Sequence, residues 1–338
     1  MEEKKSYIIP INEAIDEMRK EGPIPFIWGG IKEGSFGYVF GPSKSGKTTF
    51  CENLAIVLVN GEKEFLSKPI LEKEYRVLLL SFEEYLRPRA ERNDKQTQFI
   101  KFQEDRSKDL LIINDNFPKY LHNDHDWLIF RDTIVDSGAN VVIIDSLTRM
   151  SYGAIERSET ARNISSTLKE IGRDCEITMI VIHHTPKLNG QMLNIDSLAG
   201  SHVFAQEADF LLGVNRVNGS RYIKEVACRY KREDDEKVLP FEINDHLWIV
   251  PGKPNEESAL FKEADGRYDD KNRNAVRTLI KNNTESNESQ SFKSKEILNQ
   301  AEITMDRSTF FEKLAEMQAS GEITKIRKGE YSFNNLPT

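Results

Sequence analysis

The stretch GPSKSGKTTF, residues 41–50, decides the fold of this chain. Two glycines bracket four residues and are followed directly by Lys47 and Thr48, which is the phosphate-loop pattern. Glycine lets the backbone approach an anion closely, the lysine reaches the β- and γ-phosphates, and the threonine hydroxyl binds Mg²⁺. An apolar run at 36–40 precedes the loop, and a segment of helical spacing follows it. This strand–loop–helix context predicts a nucleoside triphosphate site.

ATP is the expected ligand of the loop, and Mg²⁺ is the expected metal. Because a helix is predicted to begin at the loop, the positive end of its dipole also faces the phosphates. The residues expected to contact the nucleotide are Gly41, Pro42, Ser43, Lys44, Ser45, Gly46, Lys47, Thr48 and Thr49.

Further apolar runs predict the other strands of a sheet. Four of them, at 76–84, 110–115, 140–146 and 178–184, alternate with segments of helical spacing. Strands that are apolar throughout are typical of a parallel sheet covered by helices on both faces. Later strands separated by short turns predict an antiparallel extension. The sequence therefore predicts an α/β protein with a mostly parallel sheet.

The composition changes after residue 250. A polar segment is predicted to be a linker, and three short helical patterns with a hairpin signal at Lys328-Gly329 follow it. Three helices and a hairpin are the plan of a winged helix. The predicted organisation is an N-terminal arm (1–24), a nucleotide-binding domain (25–250), a linker (251–270) and a small winged-helix domain (271–338).

Charge and cysteine content limit the possible partners. The 47 lysines and arginines against 55 aspartates and glutamates give a net charge of −8, so any contact with nucleic acid must be local. Three separated cysteines without a CxxC pair favour a reducing compartment over disulfides or zinc. No apolar run has the length of a signal peptide or a membrane span. A cytoplasmic protein without membrane contact is expected.

Polar residues follow the predicted strands at the edge where the loop opens. Asp145 ends the strand VVIID and is expected to bind Mg²⁺, as Thr48 is; an aspartate that only caps the next turn is the alternative. Glu83 follows another strand and is placed to polarise the attacking water, whereas a pair of solvated carboxylates is the alternative. Because strand residues alternate, only one of Glu83 and Glu84 is expected to face the site.

The dipeptide His183-His184 ends the strand at 178–184. By the same alternation, one histidine is expected near the γ-phosphate and the other faces elsewhere. Adjacent residues do not converge on a zinc ion, and no further ligands stand at metal spacing. A buried, hydrogen-bonded histidine without a role is the alternative.

Taken together, these motifs resemble the RecA-like core of ring ATPases. In chain order they are the loop, SFEE at 81–84, VVIIDS at 141–146, VIHHTPK at 181–187 and LAGSHVFAQEADFLLGV at 198–214. The likeness is strongest to RepA-type hexameric helicases, and RecA-family recombinases and DnaB-type helicases share the scheme. The resemblance covers about residues 25–250. It implies a RecA-like ATPase domain whose ATP sites lie between subunits.

The resemblance also implies an assembly and roles for single residues. It implies a homo-oligomer, a ring or filament with a hexamer as the expected size. Glu83 takes the place of the catalytic glutamate and His184 that of the polar sensor, beside Lys47. In CRYKRED, Arg229 and Lys231 match a cation pair that reaches the neighbouring subunit's nucleotide, with the two residue types exchanged. A solvated strand end is the alternative for this pair.

Two loops that the resemblance assigns to DNA contact carry little positive charge. The segment 187–201 has Lys187 as its only cation, opposed by Asp196, and the loop LTRMSYGAIERSE offsets Arg149 and Arg157 with two glutamates. Contact with the phosphate backbone of DNA requires positive charge. DNA translocation is therefore less firmly indicated than ATP hydrolysis.

Two functions follow. The first is Mg²⁺-dependent ATP hydrolysis by an oligomer acting on DNA, of the helicase or replication type. The second is an ATP-switched regulator or loader whose winged helix binds DNA or a protein partner without unwinding. From Ser286 onward, seven lysines and arginines face eight acidic residues, and the cations of the hairpin are Lys325, Arg327 and Lys328. A small-molecule kinase is a weaker third alternative, because the sequence indicates neither a lid nor an acceptor pocket.

Overall fold

The computed structural model describes residues 8–150, 158–185, 188, 192–198, 202–217, 219–231, 237–286, 291–301, 305–319 and 322–333. The chain divides into two compact units, Met1–Glu257 and Ser258–Thr338.

The first unit is built on β-strands. In chain order these are β1 Phe26–Trp28, β2 Ile31–Lys32, β3 Phe36–Gly41, β4 Glu64–Phe65, β5 Lys68–Pro69, β6 Val77–Ser81, β7 Leu110–Ile112, β8 Val141–Asp145, β9 Thr178–His184, β10 Phe210–Val217, β11 Ser220–Cys228, β12 Lys237–Ile243, β13 Ile249–Pro251 and β14 Asn255–Glu256.

Helices connect the strands of this unit. They are α1 Ile11–Glu21, α2 Lys47–Asn60, α3 Leu86–Ile100, α4 Asp124–Ser137, α5 Leu147–Met150, α6 Ser158–Asp174 and α7 His202–Glu207, with short 3₁₀ helices at Glu104–Asp109 and Ile195–Ser197.

The main sheet has the order β13-β12-β11-β10-β3-β9-β8-β6-β7, with β14 paired to β12. The strands from β10 to β7 in this order are parallel, and β11, β12 and β13 extend the sheet in antiparallel pairing. The central strands are buried along almost their whole length, which fits a sheet covered on both faces. The predicted α/β fold with a mostly parallel sheet and an antiparallel extension is confirmed.

Helix α2 lies almost wholly within the core, since every residue from Phe50 to Asn60 is buried. It ends before Gly61, whose left-handed φ of 72° is typical of the residue after a helix. In contrast, α1 has no buried residue. Helix α3 was not indicated by the sequence, because LRPRAERNDKQTQFI lacks a continuous apolar stripe.

Strand register places the loop and three other strand ends at one edge of the sheet. Gly41, the last residue of β3, pairs with His184, and Asp145 pairs with Ser81. All four lie at the carboxyl ends of parallel strands, the edge where α/β sheets bind ligands.

The second unit contains α8 Glu257–Ser286 (apart from its first residue), β15 Ser291–Lys293, α9 Ser294–Ala301, α10 Arg307–Ala319, β16 Ile323–Arg327 and β17 Glu330–Phe333. The predicted hairpin at Lys328-Gly329 joins β16 to β17, and β15 adds a third strand in the order β15-β17-β16. The unit has its own apolar core, which includes Val276, Ile280, Phe292, Ile297, Phe310, Leu314 and Met317. The order helix–strand–helix–helix–hairpin suits a winged helix, which stays a prediction.

The segment 251–270, predicted to be a linker, differs from that expectation. It completes β13, forms β14 and then enters α8 at Glu257, and α8 also continues past the predicted domain start at 271. The polar composition was misleading because the segment has no proline after Pro254 and is rich in good helix formers such as Glu, Ala and Lys. The helices in the described part of the chain include none that is both long and apolar enough to cross a membrane.

Candidate nucleotide site

The phosphate loop joins β3 to α2 and depends on its two glycines. Gly46 adopts a left-handed φ of 108° directly before the helix, a conformation that other residues avoid. A Cβ at Gly41 would lie 1.9 Å from the carbonyl oxygen of Val214, so a side chain there would displace backbone. Since α2 begins at Lys47, the unpaired N–H groups of its first turn lie at the loop. The loop is therefore built for an anion.

Lys47 lies inside the loop. Its Nζ atom donates hydrogen bonds to the carbonyl oxygens of Gly41 at 2.9 Å and Pro42 at 2.8 Å. Burial lowers the pKa of Lys47 to about 8, against the opposing influence of Asp145 and Glu83. A buried cation beside the loop provides charge for an anionic ligand.

Thr48 and Asp145 meet as the metal prediction requires. The Thr48 hydroxyl donates to Asp145 Oδ2 at 2.9 Å, while Asp145 Oδ1 is buried and has no hydrogen-bond partner. Burial raises the pKa of Asp145 to about 6, and the charge of Glu83 adds to the rise. Ser45 Oγ, in the loop, is likewise buried without a partner. An oxygen donor set with an unused carboxylate oxygen fits Mg²⁺.

Glu83 occupies the centre of this edge. Its Oε1 atom accepts a hydrogen bond from Ser146 Oγ at 2.5 Å and lies 3.0 Å from His184 Nε2. The hydrogen bond with His184 is the main reason that the pKa of Glu83 falls to about 2; Ser146 and the charge of Arg149 act in the same direction against burial. Glu83 is therefore ionised at neutral pH and held in a fixed orientation.

Glu84 turns away from Glu83 and pairs with Arg92, with 2.6 Å between Oε2 and the guanidinium. Only one glutamate of the pair faces the loop, as expected, but strand alternation is not the cause. Strand β6 ends at Ser81, and the two glutamates lie in the bend that follows it. The two side chains separate because Glu83 contacts His184 and Glu84 pairs with Arg92.

The two histidines also separate. His183 is 2% exposed and packs between the rings of Tyr38 and Phe204, at centroid distances of 6.5 and 5.1 Å. His184 reaches Glu83 at the site. His183 thus belongs to the core, and His184 occupies the position expected of the sensor.

Arg229 and Lys231 lie away from the loop of their own chain. Strand β11 runs antiparallel to β10, so its last residue, Cys228, is level with Phe210, and Phe210 is level with Gly37 near the start of β3. The two cations follow Cys228 and therefore lie at the edge of the sheet opposite the loop.

Carboxylates hold both cations there. Asp209 accepts from the backbone N–H of Phe36 and lies 3.2 Å from the Arg229 guanidinium. Glu225 pairs with Lys231 at 2.6 Å and also with Lys68. If these two cations contact a nucleotide, that nucleotide must be bound to another subunit.

The loops assigned to DNA contact are described only in part. Arg149, at the end of α5, is exposed and lies close enough to Glu83 to lower its pKa. Arg157 and Lys187 lie outside the described residues.

The sequence patterns did not point to three neighbours of the site. Ser146, next to Asp145, donates to Glu83 and could have been suspected from the DS pair. Arg92 holds Glu84 from α3, a helix with no sequence signal. Arg221, at the start of β11, lies against the loop, since its Cδ atom is 3.4 Å from a Cβ built on Gly46.

The fold and the loop define a RecA-like P-loop ATPase. Solved structures share this fold at low sequence identity. An ATPase domain of known structure matches with a TM-score of 0.54 and 17% identity over 72% of this chain and 99% of that one. A DnaB-like replicative helicase, solved in a study of its interactions with primase, matches with a TM-score of 0.51 and 15% identity over 72% and 67%.

A KaiC-like protein from Pyrococcus horikoshii OT3 gives a TM-score of 0.48 and 20% identity over 67% of this chain and 94% of that one. No curated protein has significant sequence similarity to the chain. The AAA domain family matches residues 14–190, more than half of the chain, and the chain belongs to that family. The predicted resemblance to RecA-like P-loop ATPases is confirmed.

Proposed function

We propose that the protein is an oligomeric, Mg²⁺-dependent ATPase that acts on DNA in the manner of a replicative helicase. The observation that carries this proposal is the convergence of Lys47, Thr48, Asp145, Glu83 and His184 at one edge of the sheet, directly beside the phosphate loop.

In this proposal, each side chain has a defined task. Thr48 and Asp145 hold Mg²⁺, which when bound neutralises phosphate charge. Lys47 binds the β- and γ-phosphates of ATP, with the N–H groups of the loop. Glu83, kept ionised by its partners, orients and polarises the attacking water. His184 contacts Glu83 and is placed to respond when the γ-phosphate leaves.

The separation of the two sets of residues supports the proposal of an oligomer. Arg229 and Lys231 lie at the edge opposite the loop, so they complete an active site only on a second copy of the chain. Cations that contact the transferring phosphoryl group stabilise the charge that develops there. A ring or filament in which the opposite edges meet supplies this contact, and a hexameric ring is the expected form.

One pair of measurements tests the proposal. ATP turnover is measured with and without single-stranded DNA, and strand displacement is measured on a forked duplex. The proposal expects Mg²⁺-dependent turnover that DNA stimulates, together with unwinding. Turnover without unwinding would leave the ATPase and reject the motor; no turnover under any of these conditions would reject both.

A second function is supported by the hairpin of the C-terminal unit. Lys325, Arg327 and Lys328 are exposed there, whereas the loops near the nucleotide edge are poor in cations. In an ATP-switched regulator or loader, this hairpin binds DNA or a protein partner without unwinding.

Variants separate the two functions. In a motor, Lys187→Ala should abolish unwinding, and triple alanine replacement of Lys325, Arg327 and Lys328 should leave it intact. In a switch, the triple replacement should abolish DNA or partner binding and Lys187→Ala should change little. Three phosphate contacts give a slope of log K against log salt no steeper than about −2.7. The matched control replaces the exposed residues Lys63, Lys95 and Lys108.

A further inference from the structure

A chain of ion pairs begins at Glu84, the residue next to Glu83. The Arg92 guanidinium contacts two carboxylates at once. Its NH1 atom lies 2.6 Å from Glu84 Oε2, and its Nε and NH2 atoms donate to Glu52 at 2.7 and 2.6 Å. The two-pronged bond to Glu52 has the planar fork geometry that arginine makes and lysine does not.

The partners belong to three different elements. Glu52 lies on α2, the helix that begins at Lys47, and its side chain is 6% exposed. Arg92 lies on α3, and Glu84 lies in the bend between β6 and α3. Glu84 is the immediate neighbour of Glu83. The bridge formed by Glu52, Arg92 and Glu84 therefore connects the helix that follows the phosphate loop to the segment that contains Glu83.

This segment has other fixed points: Glu83 itself contacts Ser146 and His184, and the ends of the segment are hydrogen-bonded. The Phe82 N–H donates to the Asp145 carbonyl at 2.6 Å, and the Leu86 N–H donates to Asp115 at 2.9 Å. Between those ends, the Glu84 N–H has only a long contact of 3.4 Å with Ser81 Oγ. The ion pair of the Glu84 side chain with Arg92 is therefore an anchor directly beside Glu83 in the chain.

Another residue of α3 also contacts Glu52, one of the carboxylates of this bridge. Gln96, one turn after Arg92 on α3, is fully buried, and its amide donates to Glu52 at 3.1 Å. A carboxylate buried with this many partners has a defined position, and the loss of one partner leaves a charge uncompensated. The geometry of Glu84 is thus set by α2.

We propose that Arg92, together with Glu52 and Glu84, is a positioning group that fixes Glu83 relative to Lys47. It does not touch the nucleotide, and it acts through Glu83. This inference rests on the proposed ATPase function, because it assigns a reason for the placement of the residue that polarises water.

Arg92→Lys and Glu84→Gln test the inference on the full-length chain. Lysine keeps the charge but not the fork, and glutamine keeps the shape but weakens the pair. Each should lower kcat for ATP on the order of tenfold, because small displacements of a positioned group are costly in rate. The affinity for a fluorescent ATP analogue should stay within about threefold. Arg87→Lys is the matched control, since Arg87 lies on the same helix and its side chain is 91% exposed.

A double-mutant cycle separates positioning from general stability. In a Glu83→Gln background, Arg92→Lys should lower the single-turnover rate by less than about twofold, because the residue on which it acts is already disabled. The inference would be overturned if Arg92→Lys lowered the rate about tenfold in the Glu83→Gln background as well. It would also be overturned if ATP affinity fell in parallel with kcat, or if both single variants hydrolysed ATP at the wild-type rate. None of these outcomes would reject the ATPase. Absence of hydrolysis by the wild-type protein would overturn the proposed function and this inference with it.

Discussion

The two edges of the main sheet are both rich in charge, but they use it differently. At the loop edge, Glu83, Ser146 and His184 share hydrogen bonds, while Asp145 keeps one oxygen without a partner. At the opposite edge, Arg229 is paired with Asp209 and Lys231 with Glu225.

This difference shows what strand direction does to a set of motifs. Parallel strands bring their carboxyl ends to one edge, so motifs that end β3, β6, β8 and β9 meet. Strand β11 is antiparallel, and therefore the motif at its end lies at the other edge. The first edge holds a phosphate loop and a carboxylate oxygen without a hydrogen-bond partner, whereas the charges at the second edge are paired within the chain.

The largest effect is expected at the loop edge. Glu83→Gln should lower kcat for ATP about 10²-fold or more while nucleotide binding persists, because a positioned base is lost and the phosphate contacts remain. Steady-state turnover and titration with a fluorescent ATP analogue measure the two quantities. Glu91→Gln, on exposed α3 surface, is the control. If Glu84→Gln removed activity and Glu83→Gln did not, the assignment within the pair would be wrong.

The opposite edge should matter only between subunits. Arg229→Ala should bind ATP normally and hydrolyse it about 10- to 100-fold more slowly, because charge on the transferring phosphate loses a partner. Mixing this variant with Lys47→Ala protein should recover part of the turnover, since an intact composite site can then form. Arg131→Ala serves as the control, an exposed cation on α4. If light scattering during turnover showed a fully active monomer, the role of Arg229 between subunits would be wrong.

The buried carboxylate of Asp145 at the loop edge should also lower the free energy of unfolding. The pKa of Asp145 is raised from 3.8 to about 6, so the folded state holds this proton more tightly than the unfolded state. Its ionised form is therefore destabilising above about pH 6, and the effect disappears below about pH 4. Asp145→Asn should raise the free energy of unfolding by about 3 kcal/mol at pH 7 and by only about 0.5 kcal/mol at pH 4.

Urea unfolding over this pH range, without nucleotide or Mg²⁺, measures the Asp145 effect. Asp132→Asn, at an exposed position of α4, should show no such trend with pH. A gain that is equal at both pH values would mean that the burial of charge is not the cause.

The smallest effect is expected at the start of α4 and has the opposite sign. Asn123 caps α4 by accepting from the Asp126 N–H at 3.1 Å, in a reciprocal capping box. Asn123→Ala should lower the free energy of unfolding by about 1 kcal/mol and leave ATP turnover unchanged. Asn123→Asp should retain the cap and most of the stability. A loss of turnover in the alanine variant would show that the site depends on the cap of α4.

Much of the site could be predicted from local sequence. The phosphate loop, the buried strands and the position of Asp145 at a strand end follow from spacing and apolar periodicity, which act over a few residues. The separation of His183 from His184 follows from the alternation of a strand. The metal, catalytic and cation roles themselves remain predictions.

Tertiary structure decided the rest, because it depends on contacts between distant residues. Glu83 and Glu84 separate because His184 and Arg92 attract them from different elements, and the strand has already ended. Arg229 lies far from the loop because β11 runs antiparallel to β10, a direction that the short turns predicted, but its pairing with Asp209 was not predicted. The segment 251–270 forms strand β14 and the start of α8 where polarity alone suggested a linker. Local pattern determined which chemical groups are present, and the packing of distant elements determined which of them meet.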